Sequence, residues 1–159
     1  KFKWSSDLMK GAVYLVVVCS ILFSSVAYIN SYVNYYPNQS VLKGVGFLSG
    51  KEGVVFSDVS RGHWITYAGL ESYWDSQYHF VEDYGSRKYV ASRLLFSKDY
   101  SDFVGLVKEK DIKYFWVDGD MKDRVFGGET YGMLFWLKYG SDFRMEFKKG
   151  DVEIWRFNG

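Results

Sequence analysis

The segment 57–67, which reads SDVSRGHWITY, concentrates side chains that could do chemistry: a carboxylate, a guanidinium, an imidazole, an indole and a phenol. Residues 53–57 form a short apolar run, which predicts a buried strand leading into this segment. In open α/β sheets, ligands bind in loops at the carboxyl ends of the strands. The segment therefore predicts a binding loop able to grip a sugar or a peptide. Its predicted substrate-binding residues are Asp58, Arg61, Gly62, His63, Trp64 and Tyr67.

The same residues have an alternative, purely structural interpretation. Aspartate is a frequent helix cap, so Asp58 could cap the helix that is predicted to follow it. Arg61 would then pair with Asp58, and Trp64 would belong to the hydrophobic core. The sequence leaves both interpretations open, and the structural one requires no ligand.

A second candidate site follows residues 112–117, IKYFWV, which form the strongest predicted strand. Asp118 and Asp120 come next as an Asp-x-Asp pair, which could hold Mn²⁺ or Mg²⁺ against a diphosphate. The pair is short, and Asp-Gly is common in turns. We therefore predict a turn rather than a metal site, and keep Asp118 and Asp120 as the alternative metal ligands.

Three further groups of residues are less specific. Residues 126–130, FGGET, lack a Gly-Lys-Ser/Thr sequence and carry a glutamate that would repel a phosphate, so we predict a flexible connector. His79, Glu82 and Asp83 could bind a cation, but they are more typical of a solvated loop. Cys19 is the only cysteine, which excludes an intrachain disulfide.

Strands and helices alternate in the part of the chain that must position these residues. The pattern predicts an α/β fold: a mixed sheet flanked by helices and ending in a β-hairpin. The predicted strands are residues 53–57, 72–74, 112–117, 143–147 and 152–157. The predicted helices are residues 63–69, 87–96, 100–110 and 130–139.

Residues 11–29 are apolar and lie in a stretch without charges between Lys10 and Lys43. A helix of this length rises about 28 Å, close to the thickness of a bilayer core. The alternative is a buried helix of a soluble domain, but the three serines do not form a polar face. Lysines precede the span, so the N-terminus is predicted to be cytoplasmic and everything after Asn30 extracytoplasmic.

These patterns divide the chain into four parts. Residues 1–10 are the cytoplasmic flank, 11–29 the transmembrane helix, 30–50 a connector with room for a short helix, and 51–159 an extracytoplasmic α/β domain. The connector carries the glycosylation sequon Asn38-Gln39-Ser40 on the outer side. We therefore predict a cell-membrane protein with one span in this chain.

The composition restricts the function classes. The 20 basic and 19 acidic residues leave a net charge of +1, which argues against a nucleic-acid binder because phosphate contacts need a basic face. Aromatic residues make up 21% of the chain, which provides ample apolar surface for a folded core.

The segment 62–67, GHWITY, resembles the segment that follows the signature WWDYG motif of archaeal oligosaccharyltransferases. Three later segments resemble that family in the same order: residues 73–75, YWD, residues 96–99, FSKD, and residues 114–118, YFWVD. The resemblance covers roughly residues 53–157. It differs at the motif itself, where this chain reads FSDVSRG, without paired tryptophans and with two more residues between aspartate and glycine. In that family the motif binds the acceptor residue that carries a hydroxyl group.

The resemblance implies the C-terminal domain of a related, polytopic membrane glycosyltransferase that uses lipid-linked sugars, rather than an enzyme that reads sequons. Its catalytic residues and a divalent cation, Mn²⁺ or Mg²⁺, would lie upstream, so this chain alone is expected to be inactive and to hold no cofactor. The implied partners are the membrane, a lipid-linked sugar and an acceptor, and the implied source is archaeal. The alternative is a non-catalytic, membrane-anchored module that binds a glycan or a partner protein. A free-standing nucleotide-sugar transferase that uses Asp118 and Asp120 is a third hypothesis.

Overall fold

A computed structural model describes residues 4–35, 37–76 and 83–159. The chain divides into two compact units, Lys1–Pro37 and Asn38–Gly159. We call the second one the α/β unit. Each unit is described by itself.

The first unit contains one long helix, α1 (Trp4–Tyr35). Within it, Leu8–Ile29 has a mean hydropathy of 2.3 and none of it is buried. Large apolar side chains such as Phe23 are exposed all round the helix, and Ser20 donates its hydroxyl to the Val16 carbonyl at 2.7 Å. The length and composition suffice to cross a membrane, and the predicted span 11–29 lies inside this range.

The α/β unit is built on a mixed sheet with the strand order β2-β1-β3-β5-β4. Strand β1 pairs in parallel with β2 and β3, whereas β5 runs antiparallel to both β3 and β4. This arrangement confirms the predicted α/β fold and its closing hairpin. The strands are β1 (Val54–Phe56), β2 (Glu71–Ser72), β3 (Ile112–Val117), β4 (Phe143–Lys149) and β5 (Val152–Phe157).

Helices cover the sheet, and side chains cap several of them at the N-terminus. Asn38, Asp99 and Asp118 each accept a hydrogen bond from a backbone N–H of the first turn, at 2.8, 2.8 and 2.9 Å. The helices are α2 (Gln39–Leu48), α3 (Gly62–Tyr67), α4 (Tyr84–Phe96), α5 (Tyr100–Glu109), α6 (Gly119–Phe126) and α7 (Met133–Tyr139).

Two hydrophobic cores lie on the two faces of the sheet. Because side chains alternate along a strand, Phe115 and Val117 of β3 enter one core, whereas Tyr114 and Trp116 enter the other. The first core receives residues from α4, α5, α6 and α7, and the second from α2 and α3. The sheet is therefore enclosed between two layers of helices.

Helix α2 lies within the predicted connector and is part of the folded α/β unit. Val41, Val45 and Leu48 form an apolar stripe at helical spacing, and all three are buried in the second core. The Cβ of an alanine at Gly44 would lie 2.5 Å from the Trp116 ring, so the helix approaches the sheet closely.

Helix α6 replaces the turn that we predicted after β3. Asp118 caps this helix, and Gly127 ends it in the left-handed conformation with φ 60°. Helix α7 begins at Met133 rather than at residue 130, because Gly132 has φ 55° and lies directly against the Leu95 carbonyl. Strand β2 covers Glu71–Ser72 rather than residues 72–74.

Candidate functional site

Each of the three parallel strands is followed by a buried aspartate. Asp58 follows β1, Asp75 follows β2 and Asp118 follows β3, and none of the three is more than 3% exposed. Parallel strands end at the same edge of a sheet, so these carboxylates share one edge. We call this region the carboxyl-edge site.

Asp58 holds the beginning of the predicted binding loop. Its carboxylate accepts hydrogen bonds from the Ser60 backbone N–H at 3.1 Å and from the Ser60 hydroxyl at 2.6 Å. These bonds cap a single 3₁₀ turn, Val59–Arg61. Asp58 therefore caps the turn that precedes the predicted helix and not that helix, because α3 has no side-chain cap. Its ion-pair partner is Arg124 of α6.

Asp118 receives the arginine of the loop. Arg61 donates its Nε–H to Asp118 at 2.6 Å, and Trp116 donates its indole N–H to the same oxygen at 3.3 Å. The other oxygen of Asp118 caps α6 through the Met121 N–H at 2.9 Å. Arg61 therefore pairs with Asp118, not with Asp58 as the structural interpretation proposed.

The two ion pairs are reciprocal. The loop after β1 sends Arg61 to Asp118 at the start of α6, and α6 sends Arg124 back to Asp58 at the start of the loop. Asp120 lies beside both arginines, 3.6 Å from Arg61 and 3.7 Å from Arg124. This network fastens the loop to helix α6.

The carboxylates of Asp118 and Asp120 are poorly placed to bind a divalent cation. Both Asp118 oxygens already accept hydrogen bonds, and the groups nearest to Asp120 are guanidinium ions. Within residues 4–35, 37–76 and 83–159, no group of three or more His, Cys, Asp or Glu side chains could hold a metal ion. The geometry thus favours a structural role for Asp118 and Asp120.

Gly62 and Asp75 make a close contact at the other side of the loop. A Cβ built on Gly62 would lie 2.6 Å from both Cβ and Cγ of Asp75, although the Gly62 backbone is ordinary helix with φ −52°. Asp75 also accepts a hydrogen bond from the Ser76 hydroxyl at 3.2 Å. Glycine is therefore needed here for space, not for backbone freedom.

Among the six predicted substrate-binding residues, His63 and Tyr67 are the exposed ones. Partial burial lowers the pKa of His63, the Asp75 carboxylate raises it less strongly, and Arg61 also lowers it. The imidazole is therefore neutral at pH 7 and offers one donor and one acceptor. Tyr67 is 79% exposed.

Trp64 connects these two residues to the core. Its ring lies 4.8 Å from the His63 ring and 6.4 Å from the Tyr67 ring, and it packs against the second core while staying half-buried. The three rings form a continuous aromatic surface on α3.

Sequence reasoning placed the loop residues at this edge but missed Arg124 as a partner of Asp58. The available signal was the aspartate that follows each of the first three predicted strands. His79 and Glu82 lie outside the described residues, and Asp83 pairs with Arg87 at 2.8 Å. Asn38 of the sequon caps α2.

Replacing Gly62 by alanine is expected to lower the free energy of unfolding by about 1–3 kcal/mol, because the new methyl group overpacks against buried Asp75. Gly105 in the middle of α5 is the matched control, since a Cβ there meets nothing within 4 Å. Gly105→Ala should raise stability by about 0.4–1 kcal/mol. Urea unfolding checks both values, and equal signs for the two variants would contradict the contact.

No protein-family model matches the chain, and no curated protein matches it either. Among solved structures, it is similar to the C-terminal globular domain of an oligosaccharyltransferase from Archaeoglobus fulgidus, with a TM-score of 0.61 and 12% sequence identity. The match covers 77% of this chain and 99% of that domain. At this level of identity the two share a fold, which agrees with the fold that the sequence resemblance implied.

Proposed function

We propose that this chain is the extracytoplasmic C-terminal part of a polytopic membrane glycosyltransferase of the oligosaccharyltransferase-like class. In this proposal the carboxyl-edge site helps to position the acceptor or the lipid-linked sugar donor. The catalytic residues and their divalent cation lie in an upstream region, and the 159-residue chain alone transfers no sugar.

The observation that carries the proposal is the likeness to the oligosaccharyltransferase domain over 99% of that domain's length. An apolar helix long enough to cross a membrane precedes the α/β unit in the same chain, which supports a place at a membrane. A lipid-linked sugar is a substrate that is embedded in a membrane, so an enzyme that uses it must act at the membrane surface.

The geometry of the carboxyl-edge site separates residues that position the loop from residues that can contact a substrate. Asp58 and Asp118 are both held in the reciprocal pairs, so they serve as positioning residues. The Arg124 side chain is 49% exposed and can offer its remaining N–H groups to an anionic or hydroxyl group of a substrate. On helix α3, His63, Trp64 and Tyr67 supply a neutral imidazole and an aromatic surface, which suits a sugar or a peptide. Gly62 lets α3 approach Asp75.

The engaged carboxylates also favour a second candidate function. The buried acids of this site, Asp58, Asp75 and Asp118, are already paired or hydrogen-bonded, which makes these carboxylates poor general bases. A non-catalytic, membrane-anchored module that binds a glycan or a partner protein would use the same aromatic surface of α3. The two proposals differ in whether the α/β unit belongs to a larger polypeptide that also contains a catalytic region.

Alanine substitutions of His63 and Tyr67 test the role of this surface. In membranes that contain the intact protein and its lipid-linked sugar, each variant is expected to slow transfer about tenfold, which corresponds to a lost interaction of about 1.4 kcal/mol. Both side chains are exposed, so folding should be preserved. Tyr89→Ala on α4 is the matched control, because Tyr89 is 64% exposed and belongs to another surface.

Transfer that is unchanged in both variants would remove the site from the proposal. The size of the native polypeptide separates the two candidate functions. An antibody against the α/β unit should detect a band several times larger than 18.5 kDa in a membrane fraction if the domain ends a polytopic enzyme. A band near 18.5 kDa would favour the non-catalytic module.

A further inference from the structure

A cavity with a mixed polar and apolar lining lies in the α/β unit, on the opposite side of helix α6 from the carboxyl-edge site. Asp120 and Arg124 of α6 face the loop after β1, whereas Lys122 faces strand β5. Two positions along a helix correspond to a rotation of about 200°, which explains why neighbouring residues serve different surfaces. The cavity has a volume of about 240 Å³.

The floor of the cavity is apolar and aromatic. Trp155 of β5 and Met145 of β4 are cross-strand neighbours, and both line it. Leu134 and Leu137 of α7 also line the cavity. Trp155 is only partly buried, so part of its side chain is accessible.

The rim carries both donors and acceptors. Glu153 accepts a hydrogen bond from Lys148 at 2.9 Å and pairs with Lys122 at 3.0 Å. Desolvation raises the pKa of Glu153, but its hydrogen bonds with the two lysines outweigh this and keep the pKa below its ordinary value. Thr130 adds a hydroxyl group and Lys138 a further ammonium group.

We propose that this cavity is a carbohydrate-binding subsite for a single pyranose ring. A pyranose has a C–H face that can lie on an indole, and hydroxyl groups round its edge that both donate and accept hydrogen bonds. Trp155 matches the first property, and the polar side chains of Glu153, Lys148 and Thr130 match the second, since they supply both donors and acceptors.

Size and charge both favour a sugar ring over other small ligands. The cavity is smaller than the roughly 300–1,000 Å³ typical of drug-sized ligands, so it has room for one ring rather than a nucleotide. An inorganic anion is disfavoured because Glu153 already pairs with both Lys122 and Lys148. A second carboxylate, Glu129, also lines the cavity and would repel an anion. The inference does not depend on the proposed function, since it concerns a different part of the α/β unit and is tested by a direct binding measurement.

Saturation-transfer NMR on the whole chain tests the subsite. The chain is kept in a detergent without a sugar head group, because a glucoside or maltoside would compete. The probes are the methyl glycosides of glucose, mannose and N-acetylglucosamine, with inorganic phosphate as a separate competitor. We expect transfer to the ring C–H protons of at least one of these sugars, with a dissociation constant of about 1 mM.

Two variants remove the subsite in different ways. Trp155→Leu removes the floor, and Lys148→Ala removes an exposed rim residue with little risk to folding. Lys149→Ala is the matched control, because Lys149 follows Lys148 in the same strand and its side chain points to the opposite face of the sheet. Both subsite variants should weaken sugar binding roughly tenfold, whereas the control should bind like the wild type.

The outcomes decide the proposal. Binding that is lost in both subsite variants and kept in Lys149→Ala supports it. No transfer to any of the three sugars overturns it, and so does transfer that Lys148→Ala and Trp155→Leu leave unchanged. Displacement of bound sugar by phosphate at equal concentration would also overturn it, because the cavity would then be an anion site.

Discussion

Replacing Asp118 by alanine is expected to lower the free energy of unfolding of the α/β unit by about 3–5 kcal/mol. Asp118 is 1% exposed and accepts three hydrogen bonds at once, from Arg61, Trp116 and the Met121 backbone. The variant loses the cap of α6, which is worth about 1 kcal/mol. It also leaves the largely buried Arg61 guanidinium without its nearest carboxylate, which is the larger cost.

Asp120→Ala is the matched control, because Asp120 lies two residues away on the same helix but is 53% exposed. Its ion pairs are solvent-exposed, so the expected loss is about 0–1 kcal/mol. Urea unfolding followed by tryptophan fluorescence measures both variants, since five of the six tryptophans belong to the α/β unit. A loss below about 1 kcal/mol for Asp118→Ala would show that the reciprocal pairs do not hold the loop.

Replacing Leu48 by alanine is expected to destabilise the α/β unit by about 2–5 kcal/mol. Leu48 is completely buried in the second core, at the end of the apolar stripe of α2. Its truncation leaves a cavity between α2 and the sheet, next to Trp116 and Ile154 of the same core. The effect would establish α2 as part of the fold rather than as a flexible connector.

Leu42→Ala provides the comparison within the same helix. Leu42 is 50% exposed, and alanine is the better helix former, so the expected change is within about 0.5 kcal/mol. The two variants are compared by their urea midpoints at constant detergent concentration. Similar midpoints for both would mean that α2 contributes little to the stability of the core.

Local sequence signals were sufficient for most elements of the fold. The run IKYFWV predicted β3 with both of its ends, because its β-branched and aromatic residues leave no helical alternative. The closing hairpin followed from alternating residues on both sides of Lys149-Gly150. The apolar helix α1 was evident from composition alone.

The helices that the sequence left open or did not predict depend on contacts that are distant in sequence. Helix α2 is only ten residues long, and an isolated helix of this length is marginal in water. It becomes stable because Val41, Val45 and Leu48 bury against strands that follow much later in the chain. Asp118 and Gly119 are equally suited to a turn and to a helix cap, and the contact with Arg61 favours the cap.

The sequence by itself determined the apolar span, the alternation of strands and helices, and the position of the loop 57–67 at the end of a buried strand. Only the tertiary structure decided which arginine meets which aspartate, because the partners are separated by 57 residues in Arg61–Asp118 and by 66 residues in Arg124–Asp58. These pairings require β3 to lie beside β1, so that α6 starts next to the loop. Strand order is set by the burial of both sheet faces, which is a property of the whole domain and not of any local pattern.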